Sequence, residues 1–95
     1  MIERHITFNV HADQTAAFER FFADEYRPAM MKSPGFVRAD LLREVESSTR
    51  YQMVLRFADA DSAAGWRTSD VHESLQPSLQ ALFADNEIQG YEVVA

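Results

Sequence analysis

Two segments of this chain alternate in hydrophobicity with a period of two, and that period dictates extended backbone. In the first, Ile2, Ile6, Phe8 and Val10 alternate with Glu3, His5, Thr7, Asn9 and His11. In the second, Arg50 to Phe57, the residues Tyr51, Met53, Leu55 and Phe57 share one side. Successive side chains of a strand point to opposite faces, so each segment is a half-buried strand with one apolar face. The segments around them say what covers those faces.

Helical spacing follows the first strand, where Ala17, Phe18, Phe21, Phe22 and Tyr26 make one aromatic stripe. Asp13 is placed to cap that helix, and Pro28 should kink or restart it, leaving Ala29 to Lys32 as a short extra turn. Ser33-Pro34-Gly35 is a stop and a turn. Phe36 to Val45 reads as a second strand, with Val37, Ala39, Leu41 and Val45 on one face. Ser47-Ser48-Thr49 joins it to Arg50–Phe57 as a hairpin. Asp59 or Asp61 caps a helix running to about Thr68. Ser69 and Asp70 both offer caps to the next helix, with Glu73 completing a box with Asp70. Its apolar side is Val71, Leu75, Leu79, Leu82 and Phe83, and Pro77 should divide it into two short helices meeting at an angle. Ile88 to Val94 is the last strand.

The order strand, helix, strand, strand, helix, strand predicts an α+β fold: a ferredoxin-like, antiparallel four-stranded sheet with helices on one face. One domain spans residues 1–95. The sheet's other face would carry Thr7, Asn9, Arg38, Asp40, Leu42, Gln52, Val54 and Arg56. That mixture is too apolar in places to be simply solvated, and a 95-residue chain has a marginal core. Both points predict a homodimer in which a twin subunit's sheet covers this face and closes a β-barrel. The alternative is that the face meets water.

Composition excludes several functions. There is no cysteine, hence no disulfide, thiolate metal site or cysteine nucleophile. A formal charge of -6 and a pI near 4.9 repel phosphate backbones and anionic lipid, so nucleic acid is not an expected partner. No run approaches the ~18 apolar residues of a membrane span, and the first ten residues lack a signal-peptide core. The expected location is the cytoplasm. His5 and His11 stand six residues apart, ~20 Å along a strand, and cannot share a metal ion within one subunit. No phosphate loop, dinucleotide fingerprint, nucleophile elbow or zinc-helix motif is present. Neither a metal nor a cofactor is expected.

Several local strings, in their order and spacing, resemble the antibiotic biosynthesis monooxygenase family. They are Pro34-Gly35-Phe36 opening the second strand, Phe57-Ala58-Asp59 closing the third, and Ser69-Asp70-Val71-His72 after the lone Trp66. The end of Gly90-Tyr91-Glu92-Val93-Val94 fits as well. The resemblance covers nearly the whole chain. It implies a dimeric β-barrel with a pocket between sheet and helices in each subunit. Members of that family oxygenate polycyclic phenols or quinols without metal or flavin, degrade haem, or isomerise a sugar-like signal, so the family implies a fold more firmly than a reaction.

Trp66 would stack on a flat aromatic or on haem; the alternative is a core filler. His72, at the edge of the Val71/Leu75/Leu79 stripe, would serve as a general base titrating near neutrality; the alternative is a hydrogen-bonded bystander. Phe8, Phe22, Tyr26 and Met30 are expected to line the pocket as substrate-binding residues, with ordinary core as the competing role.

The leading function is cofactor-independent monooxygenation of a small electron-rich aromatic, a hydroquinone or polycyclic phenol. Its catalytic residues would be His72, Trp66 and Ser62. The family's polyketide oxygenases carry an asparagine one helical turn before the tryptophan, where this chain has Ser62; a serine keeps one hydrogen bond and loses the amide's second group. Haem binding or degradation is the alternative. By resemblance its axial position falls on Gln76, and its first-strand asparagine falls near Ile6. A third possibility is a binding or structural dimer without catalysis.

Overall fold

The computed structural model covers residues 1–95. β1 (Ile2–Val10) leads into one continuous helical stretch made of α1 (Thr15–Phe21), a π-helical turn (Phe22–Tyr26) and α2 (Arg27–Met30). β2 (Phe36–Arg43) and β3 (Arg50–Phe57) form a hairpin, α3 (Ala60–Arg67) and α4 (Asp70–Gln80) follow, and β4 (Phe83–Glu92) completes the chain. All neighbouring strands are antiparallel, in the order β2-β3-β1-β4. This is the α+β, ferredoxin-like arrangement, with helices on one face of the sheet.

Alternation sets the core. Ile6, Phe8 and Val10 of β1 and Tyr51, Met53, Leu55 and Phe57 of β3 are all buried, because these two strands are the inner pair. Phe18, Phe21, Phe22 and Tyr26 are buried against them. At ~25 cal/mol per Å² of apolar surface, each such aromatic contributes roughly 2–3 kcal/mol. Thr7, Asn9, Arg38, Asp40, Leu42, Gln52, Val54 and Arg56 lie on the other face, where none is buried. There Glu3 binds Arg56 at 2.6 Å and His5 at 2.8 Å.

Proline acts differently at its two helical positions. Before Pro28 the backbone switches to π register, and Arg27 N–H reaches back five residues to the Phe22 carbonyl. The absence of an N–H on Pro28 therefore falls where the ladder is already being reset. Pro77, by contrast, does not split α4, which runs unbroken from Asp70 to Gln80. Its missing donor frees only the carbonyl of Glu73, an exposed residue, which water can satisfy.

Other boundaries also differ from the sequence reading. Asp13 does not cap α1; the helix begins one residue later, with Gln14 at its N-cap and no side-chain cap. A tight turn from His11 to Gln14 takes up the intervening residues. Ser69, not Asp70, caps α4 by accepting from the His72 N–H, and Asp59 caps α3 through the Ser62 N–H. Phe83 belongs to β4 and not to the face of α4, and Val71 is half exposed.

Phe36 and Ala39 both face the core, although three residues apart, because Val37 is bulged out between them. The bulge restores the phase for Leu41 and leaves Val37 in solvent. Val45 lies beyond the strand, fully exposed.

Candidate functional site

The first strand carries a break in its own pattern. Between inward Ile2 and Ile6 stands Arg4, which is also inward and only 9% exposed. Across the ladder its partner on β4 is Gly90, and a Cβ at Gly90 would meet nothing within 4 Å. Space is therefore open beside Arg4 on the helix side of the sheet.

Three rings converge nearby. Trp66, near the end of α3, and His72, in the first turn of α4, meet edge to face with centroids 5.2 Å apart. Tyr26, from the π-helical turn, stands edge-on to Trp66 at 5.6 Å and 6.4 Å from His72. The short connection Thr68–Ser69 holds the two helices together: Ser69 Oγ donates to the Trp66 carbonyl and accepts from the His72 N–H. The cap thus ties Trp66 and His72 to one another across the turn. The π register rotates Tyr26 onto the same group, a placement that uninterrupted 3.6-residue spacing would alter.

The electrostatics of the group are one-sided. Burial lowers the His72 pKa, and the positive charges of Arg4 and Arg67 lower it further. Neutral imidazole is the form this site favours. Its Nε2 lies 3.1 Å from the Gln76 amide nitrogen, a pairing suited to the tautomer with its proton on Nδ1. Burial raises the Tyr26 pKa, offset in part by the Trp66 indole and by Arg4. The Trp66 N–H makes no hydrogen bond of its own, although it lies near enough to the Tyr26 hydroxyl to favour its ionised form. Trp66 is 1% exposed, so this is a buried donor held without an acceptor, which costs roughly 1–3 kcal/mol.

Trp66 also forms part of the wall of a cleft of about 720 Å³, shared with Lys32, Asp59, Asp61, Ser62, Ser69 and Val71. Ser62 lies under the Gly35 turn. Gly35 has φ +79°, and a side chain there would overlap the Ser62 Cβ and hydroxyl; glycine is required on both counts.

Of the residues singled out from sequence, the structure brings together Trp66, His72 and Tyr26, and Ser62 lines the cleft that Trp66 also borders. Phe8, Phe22 and Met30 lie in the main core, each at most 2% exposed. Gln76 spends its amide on His72. His5 pairs with Glu3 on the opposite face and stacks on Tyr91. Arg4 and Arg67 were not among the sequence candidates. The signal for Arg4 was present, since a charge occupies the apolar phase of an otherwise strict alternation.

The structure resembles solved oxygenases over its full length. SnoaB, a cofactor-independent oxygenase from Streptomyces nogalater, is 26% identical with a TM-score of 0.89, the match covering 99% of this chain and 93% of that one. A candidate antibiotic biosynthesis monooxygenase from Bordetella bronchiseptica is 23% identical, TM-score 0.87, over 99% and 97%. One from Deinococcus radiodurans reaches a TM-score of 0.89 at 14% identity, over 100% and 94%; the last two speak for the fold alone. No curated protein sequence matches the chain. The model of one family does match, over residues 1–78, a stretch that holds Arg4, Tyr26, Ser62, Trp66 and His72. By that match the chain belongs to the antibiotic biosynthesis monooxygenase family.

Proposed function

We propose that this protein is a cofactor-independent monooxygenase acting on an electron-rich aromatic, a hydroquinone or polycyclic phenol. The observation that carries this reading is the pair of Trp66 and His72: a base kept neutral by burial and two arginines, packed edge to face on an indole. Similarity to a cofactor-independent oxygenase supports it.

The chemistry needs little from the protein. His72 accepts the proton of a ring hydroxyl, which displaces the Gln76 amide from Nε2. The aryloxide is electron-rich enough to pass one electron to O₂, and the resulting radical pair joins at a ring carbon that bears hydrogen. The proton on His72 returns to the peroxide, and loss of water across that carbon leaves a carbonyl. One oxygen atom enters the product and the other leaves as water. The Trp66 ring offers a flat face for stacking the aryloxide, and the apolar walls keep water from the radical pair. Ser62 offers a further hydrogen bond from the cleft wall. Tyr26 lines the site, with Phe8, Phe22 and Met30 as the packing behind it.

The reading includes a cytoplasmic homodimer. Leu42 and Tyr91, about half exposed, share the helix-free face with half-buried Val54, and a second sheet would cover them. A chain without cysteine loses nothing in a reducing compartment. No helix is long and apolar enough to cross a membrane.

The test is oxygen consumption by metal-stripped protein, with naphthohydroquinone and a polycyclic phenol as substrates. Uptake well above autoxidation, lost in His72→Ala, is expected. Uptake no faster than autoxidation across the panel would overturn the proposal.

A further inference from the structure

We infer that Arg4 is a receptor for an anionic group on the ligand, so that the preferred aromatic carries a carboxylate. The inference rests on the proposed site between sheet and helices and names what that site selects.

Arg4 is 9% exposed and forms no hydrogen bond or ion pair through its side chain, although Arg38, Arg43, Arg50 and Arg56 each have an acidic partner. A buried guanidinium without a counter-ion is costly. None of its nitrogens is sealed off and unpaired, so the fork keeps some access to solvent in a residue that is otherwise buried. Gly90 stands opposite with nothing in the space a side chain would fill.

The chain carries 15 acidic residues and a net charge of -6, yet no carboxylate acts on Arg4 or on His72. The charges that reach them are those of Arg4, Arg67 and the Tyr26 hydroxyl. An acidic protein has left positive charge without a carboxylate at the ring cluster.

A planar fork matches a carboxylate through two parallel hydrogen bonds. A carboxylate conjugated to a flat ring stays coplanar with it, so the fork that holds the carboxylate also sets the plane of the ring. A tetrahedral phosphate would call for more donors than the one fork of Arg4 presents. The substrate class is therefore a hydroxyaryl carboxylic acid, with Arg4 on the carboxylate and His72 on the ring hydroxyl.

Binding tests this without turnover. Trp66 is the sole tryptophan, so its fluorescence reports ligand directly under anaerobic conditions. Dihydroxynaphthoate should bind at least about tenfold more tightly than its methyl ester, as expected for a charge-assisted pair. Arg4→Gln should abolish that preference while leaving ester affinity within about twofold. Arg4→Lys, which keeps charge but not the fork, should retain part of it and guards against a folding defect in Arg4→Gln. Equal binding of acid and ester by the native protein, or a preference that survives in Arg4→Gln, overturns the inference. Oxygen uptake separates the two proposals. Turnover of neutral hydroquinones without a carboxylate preference sinks this inference and leaves the oxygenase standing. A carboxylate preference without any oxygen uptake does the reverse.

Discussion

The edge of one ring meets the face of another where Trp66 and His72 pack at 5.2 Å and 79°. Such a pair contributes ~0.5–1.5 kcal/mol beyond its buried area. His72 is only half buried, and its side chain bonds Gln76 alone. His72→Ala should therefore cost about 1 kcal/mol, a drop of ~4–8 °C in melting temperature for a domain of this size. Oxygen uptake should fall at least about a hundredfold, the usual range for loss of a general base. Turnover at the native rate would remove His72 from the mechanism.

Trp66→Phe sets two effects against each other. Losing part of a ring that is 1% exposed opens a cavity worth roughly 1–2 kcal/mol. Deleting an N–H that has no partner returns about 1 kcal/mol of that cost. The fold should stay within ~1 kcal/mol of native, while binding of flat ligands weakens by roughly tenfold. A sharp fall in melting temperature with unchanged ligand binding would make Trp66 a core residue and nothing more.

Much of this fold was readable because β1 and β3 are the inner strands, buried on one face and not the other, so their sequence carries the period of the sheet. Edge strands carry it poorly. On β4 nearly every residue is exposed, so Phe83 looked like one more apolar position of α4. On β2 the phase is broken by the bulge at Val37, which follows from the pairing of Phe36 with Phe57 and cannot be seen in β2 alone. Pro77 was over-read because the cost of a helical proline depends on whether the freed carbonyl meets water. The ring cluster was half legible: Trp66 and His72 stand out as rare residues, but Tyr26 joins them through a π turn that has no simple sequence signature. Arg4 was hidden by its neighbours, as a charge in an apolar phase is easily passed over when the rest of the strand alternates cleanly.

Gly35 holds the turn over Ser62. Its φ of +79° and the overlap of any Cβ with Ser62 make Gly35→Ala doubly unfavourable. Left-handed backbone alone costs ~1–2 kcal/mol, so a total above ~2 kcal/mol is expected in denaturant unfolding. Adding Ser62→Ala should not rescue it, because the overlap includes the Ser62 Cβ as well as its hydroxyl. Full rescue would show that the hydroxyl alone sets the requirement.

Val54 lies on the helix-free face of β3, opposite His5 on one side and Asp40 on the other. In the proposed dimer this is the middle of the covered surface. Val54→Asp would bury an unpaired carboxylate there, and sedimentation should show a monomer at concentrations where the native chain is dimeric. A native chain that sediments as a monomer at micromolar concentration would refute the dimer itself.

The pH dependence of turnover follows from what surrounds His72. Arg4 faces it from β1, Arg67 from α3, Tyr26 from the π turn and Gln76 from its own helix, where Asp70 and Glu73 are exposed to solvent. Burial, then Arg4, then Arg67 push its pKa below the ordinary 6.5. The neutral form is the base, so activity should hold as pH falls through 6.5 and be lost only lower. Stability moves in the same direction. The unfolded chain binds this proton first, so folding free energy declines as pH drops below about 6.5 and levels off beneath the folded-state pKa. Arg67→Gln removes one repelling charge from the rim and should shift the acid limb of the rate profile upward, with burial and Arg4 still holding it below 6.5. A limb that does not move, or that lies above 6.5 in the native protein, would mean that another group supplies the base.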